Sequence, residues 1–370
     1  MDAVADSAKD VGPDASPDVE SDLGPDASPD VESDLGPDAA PDVESGLGPD
    51  VESDLGPDAA PDVPVSPSPL CSGAYGRPID TGIIDDDRLG EVSGLAVSAH
   101  RPDLLWMHND SGDGPRFFAV NVSGRRLAVL YVRGLEADDW EDLATARCPD
   151  DSGPCLWVAD TGNNDLTRDR FVVYAVPEPV IAGDVALPDQ SVVTFWRFPF
   201  TYPRPEAGGP GGPGGSTLDS EALAVAPDGS RFWVFEKVDG RNARVFGHPG
   251  PLVDGQDAVL EHQGTIASPG FAIPRGQMIT GAALHPSGER LLLRVYTGTF
   301  EYRFAPGQSP SDLMGLVPLQ VAAGPLSEPQ GEAVAYDARG DGIYTVSEDP
   351  QMTKEVPIHH YDCLSARPPQ

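Results

Sequence analysis

Basic residues are scarce in this chain of 370 residues, which has 24 Lys and Arg against 60 Asp and Glu and a net charge of -36. Nucleic acids and anionic membranes both require basic surfaces, so this balance argues against either as a partner. No apolar run approaches the ~18 residues of a transmembrane helix. The expected partner is therefore a small molecule or a cell-surface ligand, and we expect the folded chain to be a monomer.

The beginning of the chain also lacks the features of a signal peptide. MDAVADSAKD has neither a basic segment nor an apolar one. Cysteine is sparse as well, with four residues, Cys71, Cys148, Cys155 and Cys363. Paired cysteines are typical of an oxidising compartment. We therefore expect an extracytoplasmic protein, secreted or tethered to a surface, with its signal sequence upstream of Met1.

Glycine and proline are abundant, at 41 and 40 residues, and residues 12–63 repeat a unit of the type GPDASPDVESDL. Proline blocks regular backbone hydrogen bonding, and the repeated carboxylates repel one another. Residues 1–70 are therefore predicted to be a disordered acidic Pro/Asp repeat linker in front of a folded domain at 71–370. Such a segment is typical of a spacer, and an acidic ion-binding arm is the alternative.

Beyond Arg77 a pattern of four strands recurs five times. The opening strands are EVSGLAVS, DWEDLATA, DSEALAVAPDG, ITGAALHPSG and GEAVAYDARG. Each is followed by an apolar strand, such as LLWMHND or LWVADTG, and then by a third strand. Repeats of this length and content are typical of propeller blades. The sequence predicts an all-β fold, a β-propeller of five four-stranded blades. A sixth blade in the long interval between the second and third units is the alternative.

The last unit has no fourth strand of its own, and RPIDTGIID (residues 77–85) can supply it from the other end of the chain. The N-terminal strand would then close the ring and remove its exposed edges. Cys71 precedes this strand and Cys363 ends its expected partner, so we predict a Cys71–Cys363 disulfide. Cys148 and Cys155 flank a turn in the second unit and are predicted to pair. A zinc site is disfavoured because the chain has no CxxC spacing.

Glu91, Glu141, Glu221 and Glu332 occupy similar places in four of the five opening strands, which line the channel of a propeller. Carboxylates that face one narrow channel repel each other unless a cation or protons neutralise them. The four glutamates are therefore predicted metal ligands, with Ca²⁺ as the expected cofactor. In the alternative they bind backbone N–H groups or pair with Arg294 and Lys237.

Further polar residues lie near the ends of the second strands, at one mouth of the channel. The candidates for catalysis are His108, Asp110, Arg294 and Lys237. The candidates for ligand binding at the mouth are Asn109, Asp160, Asn163, Glu236, Tyr296 and Glu348. Polar groups that interrupt apolar strands are typical of binding sites, although Asn and Asp beside glycine are also ordinary turn residues.

The segments EVSGLAVS, DSEALAVAPDGSRFWVFEK and QGEAVAYDARGDGIYTVSED resemble the secreted bacterial propellers grouped as esterase-like activity of phytase. They are also similar to the SdiA-regulated and strictosidine-synthase-like propellers. The resemblance implies a propeller of five or six blades whose channel often holds Ca²⁺. Two functions follow as expectations: an extracytoplasmic binding or scaffold propeller, or a metal-dependent phosphoesterase or esterase that acts at the channel mouth. The chain has no nucleophile motif, which favours binding.

Overall fold

The computed structural model describes residue 71 and residues 74–203, 218–240, 242–321, 328, 330–349 and 355–364. Within these ranges the chain forms 22 strands, grouped in five sheets, and one short 3-10 helix. None of the described helical residues forms a segment long and apolar enough to cross a membrane. The linker predicted for residues 1–70 lies outside the described residues.

The first strand of the chain, β1 (Ile79–Ile83), precedes the blades and belongs to the last of them. Blade 1 consists of β2 (Val92–Val97), β3 (Leu104–Asn109), β4 (Arg116–Asn121) and β5 (Arg126–Val132). Blade 2 consists of β6 (Trp140–Arg147), β7 (Pro154–Asp160), β8 (Phe171–Pro177) and β10 (Trp196–Thr201). A short strand, β9 (Gln190–Val192), lies between β8 and β10 in the chain.

Blade 3 consists of β11 (Ser220–Val225), β12 (Phe232–Glu236), β13 (Asn242–Gly247) and β15 (Glu261–Ala267), with the short β14 (Ala258–Val259) before its last strand. Blade 4 consists of β16 (Ile279–Leu284), β17 (Arg290–Val295), β18 (Gly298–Arg303) and β19 (Leu319–Val321), and the 3-10 helix Pro310–Asp312 precedes β19. Blade 5 consists of β20 (Gln330–Tyr336), β21 (Gly342–Glu348), β22 (Pro357–Asp362) and β1.

The inner strands of the five blades form a ring. Each contacts the inner strand of the blade before it and of the blade after it, and β20 of the last blade contacts β2 of the first. Five hydrophobic clusters fill the gaps, one between each pair of neighbouring blades. β2 and β11 are buried along their whole length, whereas the outer strand β15 is largely exposed. Continuous apolar runs in the inner strands therefore reflect sheets that are covered on both faces.

The ring closes as predicted. β1 pairs antiparallel with β22, so the fourth strand of blade 5 comes from the N-terminal side of the chain. Cys71 and Cys363 form a disulfide beside this pairing, with their Cα atoms 5.7 Å apart. Cys148 and Cys155 form the second disulfide at the turn between β6 and β7. Both predicted disulfides and the closing strand are thus confirmed.

The long interval after blade 2 contains no further blade in the part that the structure describes. β9 pairs in parallel with β5 of blade 1, and β14 pairs in parallel with β10 of blade 2. These short strands extend the outer edges of two blades to five strands each. The predicted fourth strand SVVTFWRFPF is therefore divided, since its beginning pairs with blade 1 and its end is β10 of blade 2.

Candidate functional site

All five inner strands have a β-bulge at the same position of the ring. The register against the second strand shifts at this point in every blade. A bulge adds one residue to a strand and takes its side chain out of the regular alternation. In blade order the bulged residues are Ser93, Glu141, Glu221, Thr280 and Glu332. Three of the predicted ligands therefore occupy equivalent places.

The fourth predicted ligand, Glu91, lies two residues before the bulge of blade 1, and it is exposed. The backbone oxygens of Glu91, Asp139 and Asp219 accept the N–H of the residue that follows the second strand, at 2.8, 3.1 and 2.8 Å. Glu91 is therefore equivalent to Asp139 and Asp219. Its expected equivalence with Glu141 is wrong. Blade 1 has Ser93 at the bulge, and its acidic residue, Glu91, stands two positions earlier in the chain.

Seven carboxylates from four blades converge at this end of the ring. They form three overlapping groups, and in each group one oxygen from every member lies within 4.8 Å of the others. The groups are Asp110 with Glu332 and Glu348, Asp110 with Asp139 and Glu141, and Glu141 with Asp219 and Glu221. Because Asp110 and Glu141 each belong to two groups, the seven residues form one patch, which we call the acidic mouth. Glu91 belongs to none of the three groups.

Four members of the acidic mouth have a buried oxygen that accepts no hydrogen bond from the protein. These atoms are Asp139 Oδ1, Glu141 Oε1, Glu221 Oε2 and Glu332 Oε2. The three glutamates are only 1–4% exposed. Leaving a buried polar atom unpaired costs about 1–3 kcal/mol, and more when the group is charged. These oxygens are therefore available as ligands for a bound cation.

Burial and mutual repulsion raise the pKa of these carboxyls. Burial, followed by the charges of Asp110 and Asp139, raises the pKa of Glu141 well above its usual range. Burial and the Asp110 charge raise the pKa of Asp139 to about 6. Burial, followed by the Glu332 charge, raises the pKa of Glu348 to about 9. A cation among these groups would favour their ionised forms and release protons on binding.

The donor set and its spacing fit a hard divalent cation. All ligands in the three groups are carboxylate oxygens, which Ca²⁺ prefers. Oxygens at about 2.3–2.6 Å from one Ca²⁺ lie up to about 5 Å apart, in agreement with the observed groups. Gly162 borders this space, since an added Cβ would overlap Glu141 Oε1 and the Asp139 carboxylate.

One lysine lies among these carboxylates. Lys237 directly follows β12, its side chain is 8% exposed, and its Nζ forms an ion pair with Glu221 Oε1. The Lys237 charge also acts on four other carboxyl groups, whose pKa values are raised by burial and lowered by the nearby ammonium. These are the carboxyl groups of Asp110, Glu141, Asp219 and Glu332. The ammonium therefore acts on carboxylates from four blades.

Asp142 directly follows Glu141 of the acidic mouth in β6. It is fully buried, and its Oδ2 accepts the N–H groups of Leu223 at 2.7 Å and Ala282 at 2.9 Å. Its Oδ1 accepts the N–H of Leu143 at 2.8 Å. Burial raises the pKa of Asp142 to about 8, although these three N–H groups oppose the rise. The carboxylate thus connects the inner strands of blades 2, 3 and 4.

Two of the predicted catalytic residues are enclosed by the protein. His108 in β3 is 1% exposed, its ring lies against Gly94, and burial lowers its pKa to about 4. Arg294 in β17 is also 1% exposed; its Nη1 donates to the backbone oxygen of Ala333 at 3.0 Å and its Nη2 pairs with Glu328. Asp110 and Lys237 are the two candidates that the structure brings into contact with the acidic mouth.

Tyr296 and Glu348 also lie at the acidic mouth. The Tyr296 hydroxyl donates to Glu332 Oε1 at 3.0 Å, and Glu348 is a member of the first group of carboxylates. Asn109 instead holds a loop, because its Nδ2 donates to the backbone oxygen of Arg88 at 2.5 Å.

Three other residues predicted at the mouth also make loop contacts. Asp160 pairs with Arg168, with 2.6 Å between their nearest atoms. Glu236 accepts the Arg244 Nε–H at 2.8 Å. The backbone N–H of Asn163 donates to Asp219 Oδ1 at 2.8 Å. These contacts position the loops around the site.

A surface cavity of about 490 Å³ lies at the opposite end of blade 5. Its lining includes Asp337, Tyr344 and His360. His360 Nε2 is 3.7 Å from Asp337 Oδ2, and Nδ1 is 3.4 Å from Asp362 Oδ1. The two carboxylates face different ring nitrogens, so they do not converge on one point as the carboxylates of the acidic mouth do.

Asp139, Asp219 and Asp142 are parts of the site that sequence reasoning missed. The first two stand in the pattern Asp-x-Glu, in DWE and DSE, which indicates two acidic levels in one strand. Asp142 is the residue directly after the bulge, and the other four units have glycine or alanine at this position. That contrast between repeats is the signal that could have found it.

No protein-family model and no curated protein matches the chain. The geometry of the site is therefore the basis for the function proposed below.

Proposed function

We propose that this chain is an extracytoplasmic binding or scaffold propeller that holds a divalent cation, Ca²⁺, in the acidic mouth. The observation that carries the proposal is the set of buried, unpartnered oxygens of Glu141, Glu221 and Glu332. Carboxylates this close together ionise at neutral pH only when positive charge neutralises them. A cation with six to eight oxygen ligands supplies that charge and satisfies the oxygens together.

The cation would connect carboxylates from several blades of the ring. The three groups draw their oxygens from blades 1, 2, 3 and 5. Asp110 and Glu141, which are shared between groups, would be central ligands. A bound ion would therefore stabilise the ring and offer a coordination position to a ligand that approaches from the mouth.

The two disulfides support an extracytoplasmic location, because such bonds persist in oxidising compartments. The resemblance to secreted propellers whose channel often holds Ca²⁺ points in the same direction. Placement on a cell surface would agree with the predicted acidic spacer at residues 1–70. Secretion is tested by locating the protein in cell fractions.

The alternative function, a metal-dependent phosphoesterase or esterase, requires a metal-bound water and a general base at the mouth. Asp110 lies there, and Lys237 could hold an anionic group. His108 and Arg294 are enclosed by the protein, which leaves this alternative with half of its catalytic candidates. Binding is therefore the function that the site supports best.

The test is the effect of Ca²⁺ on the free energy of unfolding of metal-stripped protein. At ~100 times its dissociation constant, an ion that binds only the folded state stabilises it by about 2.7 kcal/mol. Glu141→Gln should remove most of this effect, because it changes the carboxylate that two groups share. Glu178→Gln is the matched control: Glu178 is also buried, but it accepts the N–H groups of Trp106 and Ala99 and lies outside the acidic mouth.

We expect the Glu178→Gln variant to keep the full Ca²⁺ response. Unfolding curves that Ca²⁺, Mg²⁺ and chelators leave unchanged would exclude the cation site. Hydrolysis of p-nitrophenyl phosphate or p-nitrophenyl acetate by the Ca²⁺-loaded protein, abolished in Glu141→Gln, would instead establish the alternative function.

A further inference from the structure

Lys237 has an unusual position for a lysine. Among the described residues, it alone forms an ion pair with a member of the acidic mouth. Its backbone N–H donates to the backbone oxygen of Asp219 at 2.8 Å. This bond fixes the Lys237 Cα at the end of β12. With 8% of the side chain exposed, the ammonium is enclosed among the carboxylates and not at their rim.

The contact that Lys237 makes is one that a bound cation would need. Lys237 Nζ pairs with Glu221 Oε1, and Glu221 belongs to the group with Glu141 and Asp219. The second oxygen of Glu221 and Oε1 of Glu141 have no partner in the protein. A single ammonium therefore neutralises part of a group of oxygens that is large enough for a divalent ion.

We propose that the Lys237 ammonium occupies the cation position of the acidic mouth, and that a divalent ion binds by displacing it. The proposal depends on the function proposed above, and it adds the residue that sets the ion selectivity of the site. Lys237 is then a positioning and specificity residue, not a ligand.

Selectivity follows from the charges that are exchanged. Na⁺ or K⁺ would replace one positive charge with another, and the tethered ammonium is present at a high effective concentration. A divalent ion brings an additional charge and accepts several carboxylate oxygens at once. Lys237 should therefore exclude monovalent ions and raise the concentration of Ca²⁺ that the site needs.

The displaced Lys237 ammonium can move from the acidic mouth into solvent. A lysine side chain has a flexible four-carbon stem and a compact, strongly hydrated charge. The mouth is open to solvent at Asp110, which is only partly buried. Displacement should therefore expose the Lys237 amine to reagents in solution.

Calorimetric titration of Ca²⁺ into metal-stripped wild type and Lys237→Met compares the two affinities. We expect the variant to bind Ca²⁺ about tenfold more tightly, because a buried ion pair no longer has to be broken. Na⁺ should raise the melting temperature of the variant and leave that of the wild type unchanged.

Arg275→Met is the matched control for the loss of a positive charge near the mouth. Arg275 is exposed and stacks on Tyr296 at 5.4 Å, and the Tyr296 hydroxyl reaches Glu332. Because Arg275 forms no ion pair with the acidic mouth among the described residues, we expect its loss to change Ca²⁺ affinity by less than about threefold at physiological salt.

Amine labelling of the wild type gives a second readout that needs no variant. The lysines of the chain are Lys9, Lys237 and Lys354. We expect Ca²⁺ to accelerate acylation of Lys237 by several fold relative to Lys9 and Lys354. Ca²⁺ binding that leaves Lys237 unreactive, or a Lys237→Met affinity no tighter than wild type, would overturn the exchange and leave the cation site standing. Absence of Ca²⁺ binding in both proteins would instead refute the proposed function itself.

Discussion

Asp142 holds three blades together through one side chain. Its two oxygens accept N–H groups of Leu143, Leu223 and Ala282, which belong to blades 2, 3 and 4. All three donors lie on inner strands whose ladder pairing is interrupted by the nearby bulge. These inner strands are edge strands of their sheets, and the carboxylate supplies acceptors for their N–H groups.

We predict that Asp142→Ala lowers the free energy of unfolding by about 3 kcal/mol or more, because three buried N–H groups lose their acceptor. Asp142→Asn should also destabilise the fold, since its NH₂ group cannot accept from an N–H. Urea unfolding measures both changes. A loss below ~1 kcal/mol for Asp142→Ala would show that water or a backbone shift replaces the carboxylate.

Single residues of the site were predictable where repeats share a residue type. Glu141, Glu221 and Glu332 stand at the same place in three units, so alignment identified them. Glu91 was wrongly grouped with the other three glutamates, because the sequence of a strand does not show which of its residues forms the bulge. Asp142 was missed because its partners are backbone groups of other blades, and these have no side-chain signature.

At the scale of structural elements, the two disulfides differ in what they connect. Cys71–Cys363 joins residues 292 positions apart and fixes the closing pair β1 and β22. Cys148–Cys155 spans seven positions within one hairpin. Only the first ties the two ends of the ring.

We predict that replacing Cys71 and Cys363 by serine destabilises the protein more than replacing Cys148 and Cys155. On the chain-entropy model the long loop contributes about 5–6 kcal/mol and the short one about 2 kcal/mol. Urea unfolding without reductant compares the two double variants, each of which serves as the control for the other. Equal losses, or a larger loss for the hairpin disulfide, would contradict the role of Cys71–Cys363 in ring closure.

Most strands could be predicted from the sequence, because apolar runs between Gly, Pro and Asp turns repeat in every unit. The edge strands β9 and β14 could not. They pair in parallel with a different blade, and nothing in their short segments indicates a partner so distant in the chain.

For the whole molecule, a cation at the acidic mouth would act on the ring as a whole. The hydrophobic clusters each join two neighbouring blades, whereas the acidic mouth gathers oxygens from four. The mouth carries seven carboxylates in a protein with a net charge of -36. Its neutralisation should therefore affect global stability and not only the local loops.

The most direct test is anomalous diffraction from crystals of metal-stripped protein soaked with Tb³⁺, an ion that takes the oxygen ligands of Ca²⁺. We expect a strong anomalous peak in the acidic mouth at about 2.3–2.6 Å from Glu141 Oε1 and from oxygens of its neighbours in the groups. The peak should disappear in Glu141→Gln and persist in Glu178→Gln. A map without a peak among these carboxylates, or with peaks only on exposed surface acids, would contradict a cation site at the channel mouth.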